Sequence, residues 1–518
     1  MAVSVRPFHL VFRFLVLALA CVVTAHAARA DEYTDRVNAL YKDIAPDKRT
    51  DKVLCPLMAK MAPPPADIDT PLKAALMPAT AGKFKAASEW AEGEPQKAVI
   101  AAVKKVTEMK DYKSAYAIGQ GYGANAVDPD MITTNMWTDL GTPELLTNAN
   151  FMYIPKLRDV FTLLHVEATR LAADGKVWEA MELTVSNLYL ARQVADRLFF
   201  AEQLPGLQAM VLALNRIRDI AYLDVISGSP KLTAENMRSV IEQHNDVKSL
   251  GIKRLNLAKA DSIGLEQLVG YVFEKGGKPN RDFAPFLARL SSRDRPLRAF
   301  SETAKWEAIA PLHAGEAETR KKIADVYGDW NNRWKLDPFD AKLKLATDYS
   351  KLDKTRFALV EQFFGDLSEA FTYQSQLRVE AIGTVTALGI VGFKLANSQF
   401  PPDITSIRPT FMQKVELDPF DRARANTLRY LVPGLKGAAN PYEIRLLPDF
   451  NGVRYPNFAI PLREDTFLLY SVGPDGNASG SKLATQMAFD ERGDYLVFPP
   501  MLSMVRKHLL DRANSPLK

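Results

Sequence analysis

The chain has 518 residues, 66 Lys and Arg against 61 Asp and Glu, 47% hydrophobic residues and two cysteines. With residues 1–30 set aside as an export signal, the basic residues fall to 63 and the acids stay at 61, leaving +2. That near-neutral balance, with no local run of Lys and Arg, excludes nonspecific nucleic-acid binding, and Cys55 as the lone remaining thiol excludes an internal disulfide.

Residues 1–30 read as the signal because Arg6 and Arg13 precede an apolar core over 14–23, and Ala28-Arg29-Ala30 sets small residues before Asp31. The core is too short to span a bilayer. The mature chain is therefore expected in the periplasm or secreted, without a transmembrane helix. Ala18-Leu19-Ala20-Cys21 offers an alternative, lipidation of Cys21, although a larger aliphatic residue is expected three positions before such a cysteine.

Residues 31–82 hold Pro63-Pro64-Pro65, Pro71 and Pro78 and predict a short helix followed by an irregular connector. Cys55, beside Pro56, reads as a small buried apolar residue. A helical body is expected over 83–380. Within it, Gly119-Gln120-Gly121-Tyr122-Gly123 lacks the G-x-G-x-x-G spacing and follows no β-branched strand, so it reads as a glycine-rich loop packed under helices.

From Pro155 the pattern is plainly helical. Met181, Val185, Leu188, Ala191, Ala195 and Leu198 recur at three and four and line one helical face. Asp174-Gly175 separates this helix from the preceding one, predicting an antiparallel hairpin. Pro205-Gly206 is read as a boundary, 207–226 as a further amphipathic helix ending at Ser227-Gly228-Ser229-Pro230, and Thr233 as the next N-cap. Leu-Asp-Pro-Phe-Asp occurs at 336–340 and again at 417–421 with unrelated flanks, a chance recurrence.

Residues 381–393, with Gly383, Ala387, Gly389 and Gly392, predict a buried helix whose small side chains admit a close neighbour. After Pro401-Pro402 short apolar runs appear at 454–460, 466–472 and 495–498, with Arg463-Glu464-Asp465 placed to turn the first into the second. A small antiparallel sheet is expected within 381–500, then a terminal helix from Met501. The fold class is α+β: a mainly helical body of hairpins, bundled or solenoid-like, followed by the sheet.

Residues 381–498 carry a helix ending before Phe400-Pro401-Pro402, then Asp418-Pro419-Phe420-Asp421, Leu428-Arg429-Tyr430, and Leu469-Tyr470-Ser471-Val472-Gly473-Pro474-Asp475-Gly476 with Gly493-Asp494 behind. This stretch, under a quarter of the chain, resembles the globular part of the major pseudopilins of type II secretion. Taken whole, the chain resembles uncharacterised exported bacterial helical proteins with such a tail. The resemblance implies a calcium site with main-chain carbonyls from Leu469 and Ser471 and carboxylates from Asp475 and Asp494, a set of hard oxygens that suits Ca²⁺. The segment 477–493 is longer than the family's loop, and Asp490 and Glu491 stand in for its denser aspartates. A plain turn at Asp475-Gly476 is the competing reading. No prepilin cleavage motif precedes a long apolar helix, so filament assembly is not implied.

Other chemistries find little support. His165, His244, His313 and His508 remain after the signal; His165-Val166-Glu167 lacks the paired cysteines of a zinc deaminase and opens no H-E-x-x-H motif. Ser479-Gly480-Ser481-Lys482 fits S-x-x-K without companion motifs. Glu182 and Glu202 could meet in space. The six tryptophans read as core anchors. The expected function is a non-catalytic envelope protein offering a groove or face to a protein or glycan partner. The alternatives are an exported hydrolase with His165 or His313 among acids, and an accessory of type II secretion drawn by analogy from the tail.

Overall fold

The structure is a computed structural model and describes residues 32–108, 116–245, 255–293, 295–336, 340–450, 452–486 and 493–514. Residues 1–31, Asp490, Glu491 and positions 337–339 of the first Leu-Asp-Pro-Phe-Asp lie outside them. The fold is α+β, mainly helical, with a six-stranded sheet near the C-terminus and two short two-stranded ribbons, Thr138–Asp139 with Asn150–Phe151 and Asp449–Phe450 with Val453–Arg454. Six helices frame the site described below: α1 (Pro71–Leu76), α2 (Ile154–Ala173), α3 (Val177–Ala195), α4 (Phe200–Ile226), α5 (Ser368–Asn397) and α6 (Met501–Asn514).

Pro155 at the first turn of α2 supplies a fixed φ where an N–H would have no partner. Asp174 caps its end, and Gly175, at φ +77°, takes the left-handed conformation that reverses the chain into α3. His165 then faces Asn187 at 3.3 Å, a pairing symmetric about the turn, as an antiparallel hairpin requires. Thr233 caps the helix Ala234–Asn245: its Oγ1 accepts from Asn236 N at 3.1 Å while Asn236 Oδ1 accepts from Thr233 N at 2.9 Å.

Pro205-Gly206 does not divide helices; both lie inside the 27-residue α4. The glycine is there for packing. A Cβ on Gly206 would sit 2.8 Å from Ala195 Cα and 2.9 Å from Ala191 O, so only glycine lets α4 lie this close to the backbone of α3. Proline five residues into the helix removes a single backbone bond, a local cost outweighed by the burial of α4 along most of its length.

The small residues of 381–393 fall within the longer α5 and admit side chains of other elements. A Cβ on Gly383 would meet Val497 Cγ1 at 2.6 Å, and one on Gly392 would meet Phe411 Cδ1 at 2.9 Å. By length and composition α5 could cross a membrane, yet 67% of its apolar window is buried inside this protein, as in a core helix.

The sheet comprises β1 (Arg429–Leu431), β2 (Tyr442–Leu447), β3 (Phe458–Leu462), β4 (Leu468–Ser471), β5 (Leu483–Thr485) and β6 (Asp494–Phe498), in spatial order β1-β4-β6-β5-β2-β3. It is mixed: β5 runs parallel to both β6 and β2, and the remaining pairs are antiparallel. Arg463-Glu464-Asp465 does form a turn, with Thr466 N donating to Arg463 O at 3.1 Å. It does not make a hairpin, because β3 lies at one edge and β4 next to the other.

Alternation along the strands explains the continuous apolar runs. Leu468 and Tyr470 point to a core shared with Met501, Leu502 and Val505 of α6, Leu76 of α1 and Leu212 of α4. Leu469, Tyr495 and Val497 point the opposite way, into the main core with Leu388 and Val391 of α5. Both faces of the central strands are thus buried. That main core extends from Leu54 to Phe498, so the sheet shares its interior with the helical body instead of forming a separate module.

Candidate ligand-binding site

A cleft of about 510 Å³ opens where α1, α2, α4 and α5 meet a short ribbon, Asp449–Phe450 paired with Val453–Arg454. Its apolar lining includes Leu157 and Phe161 of α2, Val211 and Leu212 of α4, and Phe450 of the ribbon. Charge is confined to Lys73, Arg158 and Asp449.

Each wall has a local cause. Thr70 Oγ1 accepts from Lys73 N at 3.3 Å and Pro71 occupies the first turn, which starts α1 at the cleft edge. Arg506 of α6 holds the other end of α1, donating to Ala75 O at 2.7 Å and Leu76 O at 3.3 Å. The same guanidinium pairs with Asp219 at 2.8 Å. Asp219 also accepts from Arg216 and Ser503, so a buried ionic knot fixes α1 and α6 on α4. The carboxyl of Asp219 is held down at about 2 despite burial, because Arg506 and Arg216 both favour its charged form. The ribbon turns at Gly452, φ +86°, whose N–H donates to Asp449 Oδ1 at 2.8 Å.

The floor is built from amides. Asn215 Nδ2 donates to Gln486 Oε1 at 2.7 Å, and Gln376 Nε2 donates to Gln486 O at 2.9 Å. The orientation of this set follows from the Leu496 carbonyl, which can only accept. Gln486 must turn Nε2 to it, at 3.3 Å, and present Oε1 to Asn215. Asn215 therefore offers Nδ2 to Gln486 and is left with Oδ1 unpartnered among the described residues, in a residue 2% exposed. Buried acceptors are rarely left so. Chemically the site can enclose an apolar body and accept one hydrogen bond at its base.

The described residues expected from the pseudopilin likeness, Leu469, Ser471, Asp475 and Asp494, do not assemble a cation shell among themselves. Asp494 already accepts from Ser479 Oγ at 2.7 Å and Ser481 N at 2.5 Å, and its carboxyl is raised by burial. Asp475 Oδ1 accepts from Asn477 N at 2.8 Å in an exposed turn. Leu469 is paired on both sides, opposite Tyr430 and Phe498, and Ser471 Oγ donates to Asp418 Oδ1 at 2.7 Å. Among the described residues no three His, Cys, Asp or Glu side chains gather as a metal set. These donors already aimed at Asp494 do not fit a Ca²⁺ ion, and Asp490 lies outside the described residues. Asp418 accepts from Phe420 N, Ser471 Oγ and Val472 N, so it fastens the end of β4.

None of His165, His313 and His508 lines the cleft. His165 is buried, and its imidazole is pushed down to about 3 by burial and by Arg216, so it stays neutral. His313 Nε2 accepts from Leu359 N at 3.3 Å, with Nδ1 against Ala314 O at 2.9 Å. His508 stacks on Phe458, and His244 lies in the helix Ala234–Asn245. Glu202 is locked by Arg197, Tyr122 and Tyr153 beneath the glycine-rich loop, where Gly119 N donates to Asp51 Oδ1 at 2.7 Å. Glu182 lines a separate surface groove beside Trp178. Cys55 is buried, with its thiol pushed up by that burial.

The amide floor escaped sequence reading because its members stand at 215, 376 and 486, with no spacing to link them. Comparison with protein-family models, with curated proteins and with solved structures finds no match to this chain.

Proposed function

We propose that the protein is a non-catalytic binding protein of the cell envelope whose cleft takes a small, largely apolar ligand carrying an N–H or O–H donor. The observation that carries this reading is the unpartnered Asn215 Oδ1 at the base of an apolar enclosure. The volume lies in the range of small-ligand sites, which combine apolar walls with a few placed polar groups. A saccharide would bring many hydroxyls against leucine, valine and phenylalanine and lose their hydration without replacement. That favours an apolar molecule over the glycan expected from sequence.

The hydrolase reading is weaker on the same ground. Its candidates, His165 and His313, are buried away from the cleft and bonded to core groups.

The test is titration with 1-aminoanthracene, an apolar fluorophore bearing an amine donor. Its emission should rise on binding and saturate at one site. Ala209, at the cleft wall, is replaced by tryptophan to fill the space. The Ala209→Trp variant should melt as the parent does and bind no probe. Plain anthracene should bind about fivefold more weakly for want of one hydrogen bond. Equal binding by parent and Ala209→Trp would refute the assignment.

A further inference from the structure

We propose that the turn Pro296–Arg298, together with Arg295 before it and Phe300 after it, is a membrane-contacting tip that docks on anionic lipid headgroups. The helices Phe283–Ser291 and Ala299–Ile309 pack on each other as consecutive elements, and this single turn lies at their apex. There Leu297 is 97% exposed and Phe300 is 91% exposed. Among the described residues every other phenylalanine is buried or half-buried, so two such side chains projecting from one turn need a reason. Three residues apart across a helical turn, they face the same side.

Their flanks are basic. Arg295 and Arg298 are exposed and have no ion-pair partner among the described residues. Arg293 is anchored inward, donating to Asn148 O at 2.7 Å, and Arg289 lies over the Phe286 ring. From Arg289 to Phe300 the sequence holds four arginines and one acid, Asp294. The turn itself is pinned: Arg295 N donates to Ser292 O and Arg298 N to Arg295 O, both at 2.9 Å. A hydrogen-bonded turn with two apolar side chains between guanidinium groups that have no ion-pair partner among the described residues matches a surface that is negative outside and apolar beneath, as a bilayer of anionic lipid is. A protein partner fits less well, since a stable interface needs roughly 800 Å² from each side, beyond what one turn presents.

The experiment is cosedimentation of residues 31–518 with vesicles of phosphatidylglycerol and phosphatidylethanolamine, against vesicles of phosphatidylcholine alone, at low and high salt. Binding to the anionic vesicles that falls with salt is expected. Arg295→Glu with Arg298→Glu should weaken it about twentyfold or more, near fivefold for each arginine. Leu297→Ser with Phe300→Ser should weaken it at least about tenfold. Both variants change exposed groups only and should melt as the parent. Phe300→Trp should shift its emission to the blue on vesicle addition and be quenched by brominated lipid. Equal sedimentation with both vesicle types, insensitivity to these substitutions, or an effect of Leu297→Ser with Phe300→Ser on self-association alone would overturn the proposal.

Discussion

Replacing Glu380 by glutamine should cost about 3–5 kcal/mol, because it breaks a charge pair at the meeting point of α4, α5 and the sheet. Glu380, Arg218 and Tyr495 are each 0% exposed. Arg218 Nη2 lies 2.5 Å from Glu380 Oε2, close in charge although its N–H is not aligned on that oxygen. Tyr495 of β6 donates to Glu380 Oε1 at 2.5 Å, and Arg218 Nη1 donates to Thr384 Oγ1 at 2.6 Å. With the carboxylate gone, Arg218 keeps only neutral acceptors. The loss follows from an uncompensated buried cation, so the magnitude belongs to that residue more than to the lost contact. Replacing the pair by Arg218→Met with Glu380→Leu should restore stability to within about 1 kcal/mol of the parent or exceed it. Urea unfolding followed by both circular dichroism and tryptophan fluorescence measures each value. A Glu380→Gln loss below about 1 kcal/mol, or a double variant weaker than the single, would refute the reasoning.

His165 predicts an acid-sensitive contribution. Its folded pKa, about 3, lies below the ordinary 6.5, so between these values the unfolded chain binds the extra proton. The stability is present above about pH 6.5 and is lost as pH falls toward 3, up to roughly 4–5 kcal/mol; His165→Gln should flatten that slope in urea titrations across the window. Asp261, raised to about 6 by burial, acts with the opposite sign, losing its contribution as pH rises from about 4 to 6, and cancels in the comparison. Gly206→Ala should destabilise by about 1–3 kcal/mol in the same assay, since the new methyl meets α3 backbone that cannot rotate away. Cys55 in residues 31–518 should resist a thiol reagent in native buffer and react once in guanidinium, as a buried thiol does. Melting curves in calcium and in EDTA should coincide, because Asp494 is already satisfied by serine donors; a higher midpoint in calcium would reject that view.

Much of the helical architecture was legible because its signals are local. Gly175 closing α2, Thr233 capping the next helix and the small residues of α5 each act within a few positions of themselves. The apolar strands β4 and β6 were legible as well. Their order was not, since it depends on pairings between distant segments, such as β5 with β2, that no local pattern encodes. Pro205-Gly206 misled because the punctuation rule weighs backbone cost and is blind to α3 lying against Gly206. The Leu-Tyr-Ser-Val string was read as a source of ligand oxygens, whereas in the fold the Ser471 hydroxyl is given to Asp418 and Asp494 accepts from the serines at 479 and 481. The cleft left no trace because Asn215, Gln376 and Gln486 are ordinary residues until the sheet meets the helices.

Native mass spectrometry of the protein purified without detergent from the cells that make it tests the central claim most directly. The parent should carry a small apolar molecule with a hydrogen-bond donor, displaced by 1-aminoanthracene, and Ala209→Trp should arrive bare. A parent that arrives bare and takes up no probe, or a bound molecule retained by Ala209→Trp, would contradict it.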